Sequence, residues 1–400
     1  MGKKFKLIGL VLLTIFVFSV KVQAEDPLLD LLRKKGILTY EEAEKIRIET
    51  AQKKADALIS LKGADIRLGG ELELEFRDTQ KDDGVSDSHA RFQFDKFVLK
   101  PEVSFKDVNI SLKGEIEFKE DEAFFAEGGI YFKNLPLNSK IFVGLKDRFI
   151  GISRKTESYP LLGTVLWRYE QLQINWEAEL SPFYWGIAFG EGLRLGTKQV
   201  SEDSSYKMLA DKRNVSYKTG HPEYGIKLGV KPDIGNLGTI DVLGFGFCGK
   251  LSDDDKATLS SKLPNYNSTS DKMKRYGARI VYNYKFDKLR KLTLVGEYAQ
   301  LEDGKLERDG WYLQASHKWK FKRAYFKSFE PLIRYGKLDG DWEKSFSKPC
   351  SWDREMLTIA LITELAKNVK LKTEYYINDE KTGRREVDND ELLVQLEFKF

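Results

Sequence analysis

Four cationic side chains stand close together in one short stretch of this 400-residue chain. They are Arg148, Arg154, Lys155 and Arg168, and the acids between residues 147 and 167 are Asp147 and Glu157. Guanidinium and ammonium groups held where the dielectric is reduced bind anions through charge-assisted hydrogen bonds. The stretch therefore predicts an anion-binding constriction. The alternative is that each cation is solvated or pairs with an acid elsewhere.

Further charges lie on the polar sides of segments in which apolar and polar residues alternate. An acidic set comprises Glu71, Glu73, Glu75, Glu115 and Glu117. A basic set comprises Lys227, Lys231, Arg275, Arg279, Lys318 and Lys320. If these sides line water, two walls of opposite charge produce a transverse field that orients dipolar solutes and sets ion preference.

The alternation itself predicts the elements that carry these charges. In the closing stretch, NDELLVQLEFKF, every second residue from Leu392 to Phe400 is apolar, which places all apolar side chains on one face of a strand. The same period recurs along the chain and predicts about sixteen strands. They lie near 66–77, 91–100, 108–119, 123–133, 140–148, 166–180, 183–190, 223–232, 238–250, 274–286, 291–301, 310–321, 329–338, 355–365, 369–378 and 390–400.

The number and spacing of the strands favour a closed barrel. An even number of strands, with short connections at one end and long ones at the other, is typical of bacterial membrane barrels. Trp311 and Phe321 lie on one face and are separated by about 25 Å along the membrane normal, which matches an apolar band capped by aromatic residues. The sequence thus predicts an all-β, transmembrane antiparallel β-barrel over residues 63–400, with an inward loop near 147–167. A secreted β-sandwich is the alternative.

The first 62 residues have a different pattern. Residues 1–24 combine early lysines, an apolar run and a small residue before Glu25, which predicts a secretory signal peptide. Its removal takes away four lysines and the formal net charge of +4, so the mature chain is near neutral and no nucleic-acid partner is expected. A capping box at Thr39 and Glu42 predicts a short periplasmic helical segment within 25–62. It would either join subunits or pack under the barrel.

Two residues break the alternation. His317 and Lys96 fall on the apolar sides of their strands. A position at interface depth, a β-bulge or a subunit contact would each account for them.

Three stretches resemble a known family. The terminal LLVQLEFKF with its final Phe resembles the C-terminal signal by which outer-membrane barrels are recognised for assembly. FEPLIRYGKLDGD (Phe329 to Asp341) and KIFVGLKDRFIGISRKTESYPLLGTVLWR (Lys140 to Arg168) resemble the phosphate-selective porin O/P family, although Asp147-Arg148-Phe149 stands where members usually have a Pro-Phe pair. The resemblance implies a homotrimeric outer-membrane porin of sixteen strands. Its partners would be outer-membrane lipid and lipopolysaccharide, the barrel assembly machinery and small anionic solutes, phosphate among them.

Two functions remain open from the sequence. One is a porin for passive diffusion of small hydrophilic solutes with a preference for anions. The other is a structural or adhesive outer-membrane barrel with little conductance. No enzyme activity, cofactor or metal is predicted, because the three histidines are scattered and no nucleophile stands at a recognisable distance from them. Cys248 and Cys350 are predicted either to pair or to remain free thiols.

Overall fold

The alternating segments form a closed antiparallel β-barrel. The computed structural model describes residues 59–61, 63–79, 90–105, 107–120, 122–150, 154–199, 207–214, 221–321, 326–345, 347–381 and 389–400. All of them belong to the unit Ile59–Phe400. The predicted signal peptide (1–24) and most of the predicted helical segment (25–62) lie outside the described residues.

Nineteen strands and two α-helices make up the described chain. The strands are β1 Ile59–Leu61, β2 Ala64–Thr79, β3 Arg91–Phe105, β4 Ile110–Phe118, β5 Ala123–Leu135, β6 Ser139–Asp147, β7 Glu170–Leu180, β8 Phe183–Gly190, β9 Arg194–Gln199, β10 Lys207–Lys212, β11 Glu223–Val230, β12 Thr239–Lys250, β13 Lys272–Lys285, β14 Arg290–Asp303, β15 Leu306–Lys320, β16 Ser328–Asp341, β17 Asp353–Ala366, β18 Val369–Lys381 and β19 Glu391–Lys399. The helices are α1 Leu161–Leu166 and α2 Asp253–Lys262. Among the described residues, neither helix is long and apolar enough to cross a membrane.

Sixteen of these strands, β2 to β8 and β11 to β19, form the barrel, as the sequence predicted, while β1 pairs with β2 beside it and β9 and β10 form a separate hairpin. Each strand pairs with its neighbour in the chain except that β8 pairs with β11, and β19 closes the circle on β2. Phe400 extends this closure, because its backbone exchanges hydrogen bonds of 3.0 and 3.1 Å with Gly70. Its ring covers Gly70, where any Cβ atom would overlap it. We call the barrel end that holds Phe400 the C-terminal rim and the opposite end the loop end.

Four elements differ from the sequence prediction. The strand predicted from residue 166 begins at Glu170, because α1 occupies 161–166. Within the predicted helical segment 25–62, Ile59–Leu61 forms strand β1 instead and pairs with β2. The hairpin of β9 and β10 and the helix α2 lie within stretches that were expected to be long loops.

The apolar core lies inside the barrel at the loop end. The described residues between β6 and β7, 148–150 and 154–169, fold into the barrel and are called the inner loop. Its helix α1 is fully buried and packs on lumen-facing residues that include Phe245 and Phe247 of β12, Leu338 of β16 and Met356 of β17. A second apolar cluster joins Leu209 of the β9–β10 hairpin to Leu259 of α2. At the loop end, apolar side chains therefore fill the lumen beside β12 to β17.

Aromatic residues divide the outer surface of the barrel into two parts. Outward-facing Trp and Tyr occur on β7, β8, β11, β13 to β16 and β18; they are Trp176, Trp185, Tyr224, Tyr276, Tyr282, Tyr284, Tyr298, Trp311, Trp319, Tyr335 and Tyr375. Among the described residues, the outer faces of β19 and β2 to β6 carry no Trp or Tyr. We call these six strands the plain face.

The structure accounts for both residues that break the alternation. The register of β2 and β3 shifts after Glu73, and the resulting bulge turns Lys96 inward, 3.2 Å from Glu73. His317 remains outside and stacks on Trp319, with ring centroids 3.8 Å apart, in an aromatic cluster near the C-terminal rim. A bulge explains Lys96, and an aromatic cluster surrounds His317.

Candidate functional site

The tip of the inner loop is fastened to the lumen wall. Buried Arg334 of β16 donates to the carbonyl oxygens of Arg154 (2.8 Å) and Ser158 (3.2 Å) and to the hydroxyl of Thr156 (2.5 Å). Lys155 donates to the side chain of Ser316 at 2.8 Å. These contacts fix residues 154–158 against β15 and β16, so the loop divides the lumen.

Arg148 does not face a solute path. It is buried and donates to Asp211 of β10 at 2.5 Å and to Glu223 of β11 at 2.9 Å. Asp211 also accepts from Arg275 at 2.7 Å, and Arg275 reaches Asp303 at 2.6 Å. The predicted roles of Arg148 in the constriction and of Arg275 in an open basic wall are therefore wrong, because both guanidinium groups are neutralised inside an ion-pair network that joins the inner loop to the hairpin.

The other cations predicted for the constriction lie at the loop tip. Arg154 bonds to Glu157 at 3.1 Å and lies over the ring of Tyr159, 4.2 Å from its centroid. Arg168 lies over the same ring at 4.9 Å. Lys155 forms an ion pair of 2.5 Å with Glu330. The structure thus brings three of the four cations together, each in contact with protein groups.

The predicted basic wall is only partly open. Lys227 donates to the carbonyl oxygen of Phe149 at 2.7 Å, and buried Arg279 donates to that of Ile150 at 3.2 Å. Lys318 pairs with Glu364 at 3.2 Å. Lys231 and Lys320 are exposed near the C-terminal rim. The inner loop therefore covers the middle of this wall, and its exposed part lies near the rim.

The predicted acidic wall lies opposite the loop tip. Glu71, Glu73 and Glu75 are buried, and Gln395 donates to Glu73 at 3.0 Å and to Glu75 at 2.6 Å. The two remaining acids pair with lysines: Glu115 with Lys100 at 3.3 Å and Glu117 with Lys119 at 3.2 Å.

The loop tip meets this wall through four carboxyl groups. Oxygen atoms of Glu157, Glu73, Glu75 and Asp95 lie within 4.8 Å of one another. Burial alone would raise the pKa of Glu157, but nearby cations, chiefly Arg154, outweigh it and hold that pKa well below its usual range.

Carboxyl groups of this kind are potential ligands for a divalent cation. Two more such groups are Glu71, Glu73 and Glu397, and Glu127, Asp147 and Glu170. At the loop tip, however, protein cations already supply positive charge, since Lys96 is 3.2 Å from Glu73, Arg77 is 2.9 Å from Glu75 and Lys372 is 3.8 Å from Glu157. The loop tip therefore needs no metal ion to balance its charge.

Two cavities meet at the loop tip. The larger, which we call the basal cavity, has a volume of about 440 Å³ and opens toward the C-terminal rim. Its charged lining is balanced and consists of Arg154, Lys155, Lys318, Lys370, Lys372, Lys399, Glu71, Glu73, Glu157, Glu330, Glu364 and Glu397. The smaller cavity has a volume of about 40 Å³ and is lined by Tyr159, Arg168 and Tyr376, among others. Glu157 lines both cavities, so it lies between them.

Sequence reasoning missed two residues that organise this site. Arg334 holds the loop tip, and Asp211 neutralises two buried arginines. Arg334 was detectable as a lone cation among apolar residues on the lumen side of its strand. Asp211 carries no comparable local signal.

The two thiols are not joined. Cys248 is exposed on the outer face of β12, and Cys350 is half-buried in the β16–β17 connection. Of the two outcomes left open by the sequence, the structure has free cysteines.

No protein-family model matches the sequence, and no curated protein is significantly similar to it. Solved structures do resemble the fold. OprB of Pseudomonas putida has a TM-score of 0.57 at 11% identity and covers 88% of this chain and 96% of its own. The outer membrane channel DcaP of Acinetobacter baumannii has a TM-score of 0.55 at 13% identity, covering 85% and 99%. An anion-selective porin from Comamonas acidovorans has a TM-score of 0.53 at 11% identity, covering 84% and 100%. The chain therefore has the fold of bacterial outer-membrane porins.

Proposed function

We propose that this chain is a bacterial outer-membrane porin through which small hydrophilic solutes diffuse passively. The observation that carries the proposal is a closed sixteen-stranded barrel whose outer side is apolar and whose charged interior holds two cavities separated by an inward loop. A closed barrel satisfies all its backbone hydrogen bonds in lipid, and a polar lumen offers solutes a path through water. In this role the chain is a passive conduit and not an enzyme.

The proposed partners follow from the outer surface. Aromatic Trp and Tyr residues anchor a barrel at the depth of the lipid headgroups, so the barrel strands β7, β8 and β11 to β18 are proposed to face outer-membrane lipid and lipopolysaccharide. The plain face lacks these anchors among the described residues and is proposed to contact the other subunits of a homotrimer. The barrel assembly machinery would insert each subunit.

The trimer proposal can be tested with lipid-soluble quenchers. A fluorophore on Leu112→Cys of β4 should be shielded, whereas one on Leu313→Cys of β15 should be quenched; both positions face outward, with 38% and 61% of the residue exposed. The native cysteines are first replaced by serine. Equal quenching at the two positions would remove the plain face from the subunit contact.

A preference for anions is the finer part of the proposal. The loop cations do not support this preference, because Arg148 is buried and Arg154 and Lys155 are paired with acids of the protein. The exposed lysines near the C-terminal rim, such as Lys231 and Lys320, support the preference instead. Because the basal cavity has a balanced lining, the preference should be weak.

Recording in planar bilayers tests the function directly. Purified protein should produce discrete conductance steps, and a salt gradient should give a small reversal potential of the sign expected for anions. Liposomes that contain the protein should also admit a neutral sugar. Folded protein in sealed, non-conducting membranes would instead support the structural or adhesive barrel.

A further inference from the structure

Three lysines stand directly opposite one another on neighbouring strands near the C-terminal rim. Lys285 of β13 pairs with Lys291 of β14, and Lys291 pairs with Lys318 of β15. They share the lumen side of the sheet with Arg279, whose side chain reaches the inner loop. Like charges directly opposite in a sheet are destabilising. Sheet stability therefore does not explain this lysine row.

The row carries more positive charge than its surroundings neutralise. Lys318 is 3.2 Å from Glu364. Among the described residues, Lys285 and Lys291 have no ion pair or hydrogen-bond partner, and both are exposed. Glu330 acts electrostatically on Lys291 but is itself bound to Lys155 at 2.5 Å.

The acid nearest in sequence is also occupied. Asp287 lies in the turn between β13 and β14, where its side chain accepts from Arg290 at 2.8 Å and from the backbone N–H groups of residues 289 and 290. It is therefore committed to the turn and not to the lysine row.

A row of neutral polar groups lies next to the lysines on the same side of the sheet. Asn283, Thr293 and Ser316 are directly opposite one another, two residues from the lysines on each strand. Thr293 donates to the side-chain oxygen of Asn283 at 3.1 Å, which leaves the Asn283 amide nitrogen able to donate. A ligand at the lysine row would thus meet both ammonium groups and neutral donors.

We propose that the lysine row is a binding site for small dianions that carry two carboxylate or phosphate groups about 5 Å apart, which is the spacing of adjacent strands. Such a dianion contacts two lysines at once, whereas a monoanion contacts one. This proposal extends the proposed porin function and rests on it, because the site serves transport only if solutes pass through the barrel. It would raise the local concentration of dianions beside the basal cavity.

The test measures binding and conduction separately. Radiolabelled succinate is bound to the full chain by equilibrium dialysis in a sugar-headgroup detergent, which contains no lipid phosphate, and acetate is the monoanion for comparison. In planar bilayers, succinate and acetate are added at equal ionic strength to channels that carry chloride. Lys291→Gln removes the central charge. The matched control is Lys113→Gln, which removes a lumen-facing lysine that pairs with Glu102 at 3.2 Å.

We expect Lys291→Gln to weaken succinate binding and succinate block by about three- to tenfold, with acetate much less affected, because one charge-assisted contact is lost. Lys113→Gln should bind succinate as the wild type does. Relief of like-charge repulsion should also raise the temperature at which the Lys291→Gln barrel unfolds, as seen by its mobility on gels, whereas Lys113→Gln should not gain stability.

Each outcome has a distinct meaning. If succinate and acetate bind equally, or if Lys291→Gln and Lys113→Gln have the same effect, the site is overturned while the porin assignment stands. If the wild type binds succinate at the lysine row but admits neither ions nor a neutral sugar, the porin assignment fails and the site remains. If succinate binds in detergent but not in lipid, lipid phosphate occupies the lysine row in the membrane, and the assignment to free solutes is overturned.

Discussion

Replacement of Arg334 by methionine should release the tip of the inner loop. Arg334 is buried, with 1% of the residue exposed, and it makes three hydrogen bonds to residues 154, 156 and 158. Hydrogen bonds that involve a charged group contribute about 1.5–3 kcal/mol each, and a buried acceptor left unsatisfied costs about 1–3 kcal/mol, but these terms are not additive, so we expect roughly 3–5 kcal/mol for the three contacts together. The substitution therefore destabilises the state in which the loop tip is bound to the lumen wall. This cost corresponds to a change on the order of 100-fold or more in the equilibrium between fastened and released loop.

Single-channel recording and sugar uptake by liposomes measure this change. Arg334→Met should give a larger or more strongly fluctuating conductance and should admit larger sugars than the wild type. The control is Arg354→Met, because Arg354 is equally buried but contacts residues 207 and 349 and pairs with Glu380 at 3.2 Å, all outside the inner loop. Gel mobility before and after heating confirms that both variants remain folded. If Arg334→Met has the same conductance as the wild type and as Arg354→Met, Arg334 does not hold the loop.

Three further predictions concern other parts of the molecule. Asp211→Asn should destabilise the barrel by about 3–5 kcal/mol, because it leaves two buried guanidinium groups undercompensated; urea unfolding should show this, and the exposed Asp253→Asn should not. The pKa of Glu157 is lowered, so the contacts of its ionised carboxylate are complete above its unfolded pKa and are lost only as pH falls through the lower folded value. The conductance difference between wild type and Glu157→Gln should therefore stay constant from about pH 8 to 5. A change of that difference within this range would contradict the lowered pKa. Burial raises the pKa of the Cys350 thiol, so maleimide should modify Cys350 slowly at pH 7 and faster above pH 9, while exposed Cys248 should react with a lipid-soluble maleimide first; equal rates for the two thiols would be inconsistent with the structure.

The strands were predictable because a barrel in lipid imposes one rule on all of them. Every barrel strand must turn an apolar face outward, so the period of two remains visible along the chain, and strands such as β8 have the predicted bounds. The predicted start of β7 was wrong where a buried helix precedes the strand. The strand begins at Glu170, and over a few residues an apolar helix and an apolar strand have similar composition.

The chemistry of the lumen was less predictable because it depends on contacts between distant residues. Arg148 was expected to face solute, but it meets Asp211 and Glu223, which are 63 and 75 residues further along the chain. No local pattern reports such a pairing. One signal was present, however: Phe245, Phe247 and Leu338 are apolar residues on the lumen side of their strands. Apolar side chains pointing into a lumen indicate that something apolar fills it.

The apolar core inside the barrel also constrains the order in which the chain matures. Helix α1 and the β9–β10 hairpin precede, in the chain, the strands β12 to β17 on which they pack. Until those later strands have formed, the apolar side chains of the earlier segments have no surface to pack on. We therefore expect these segments to dock while the barrel closes between β19 and β2. Asp211 links the inner loop to the barrel wall through Arg148 and Arg275, so Asp211→Asn should slow assembly of the barrel as well as destabilise the folded state.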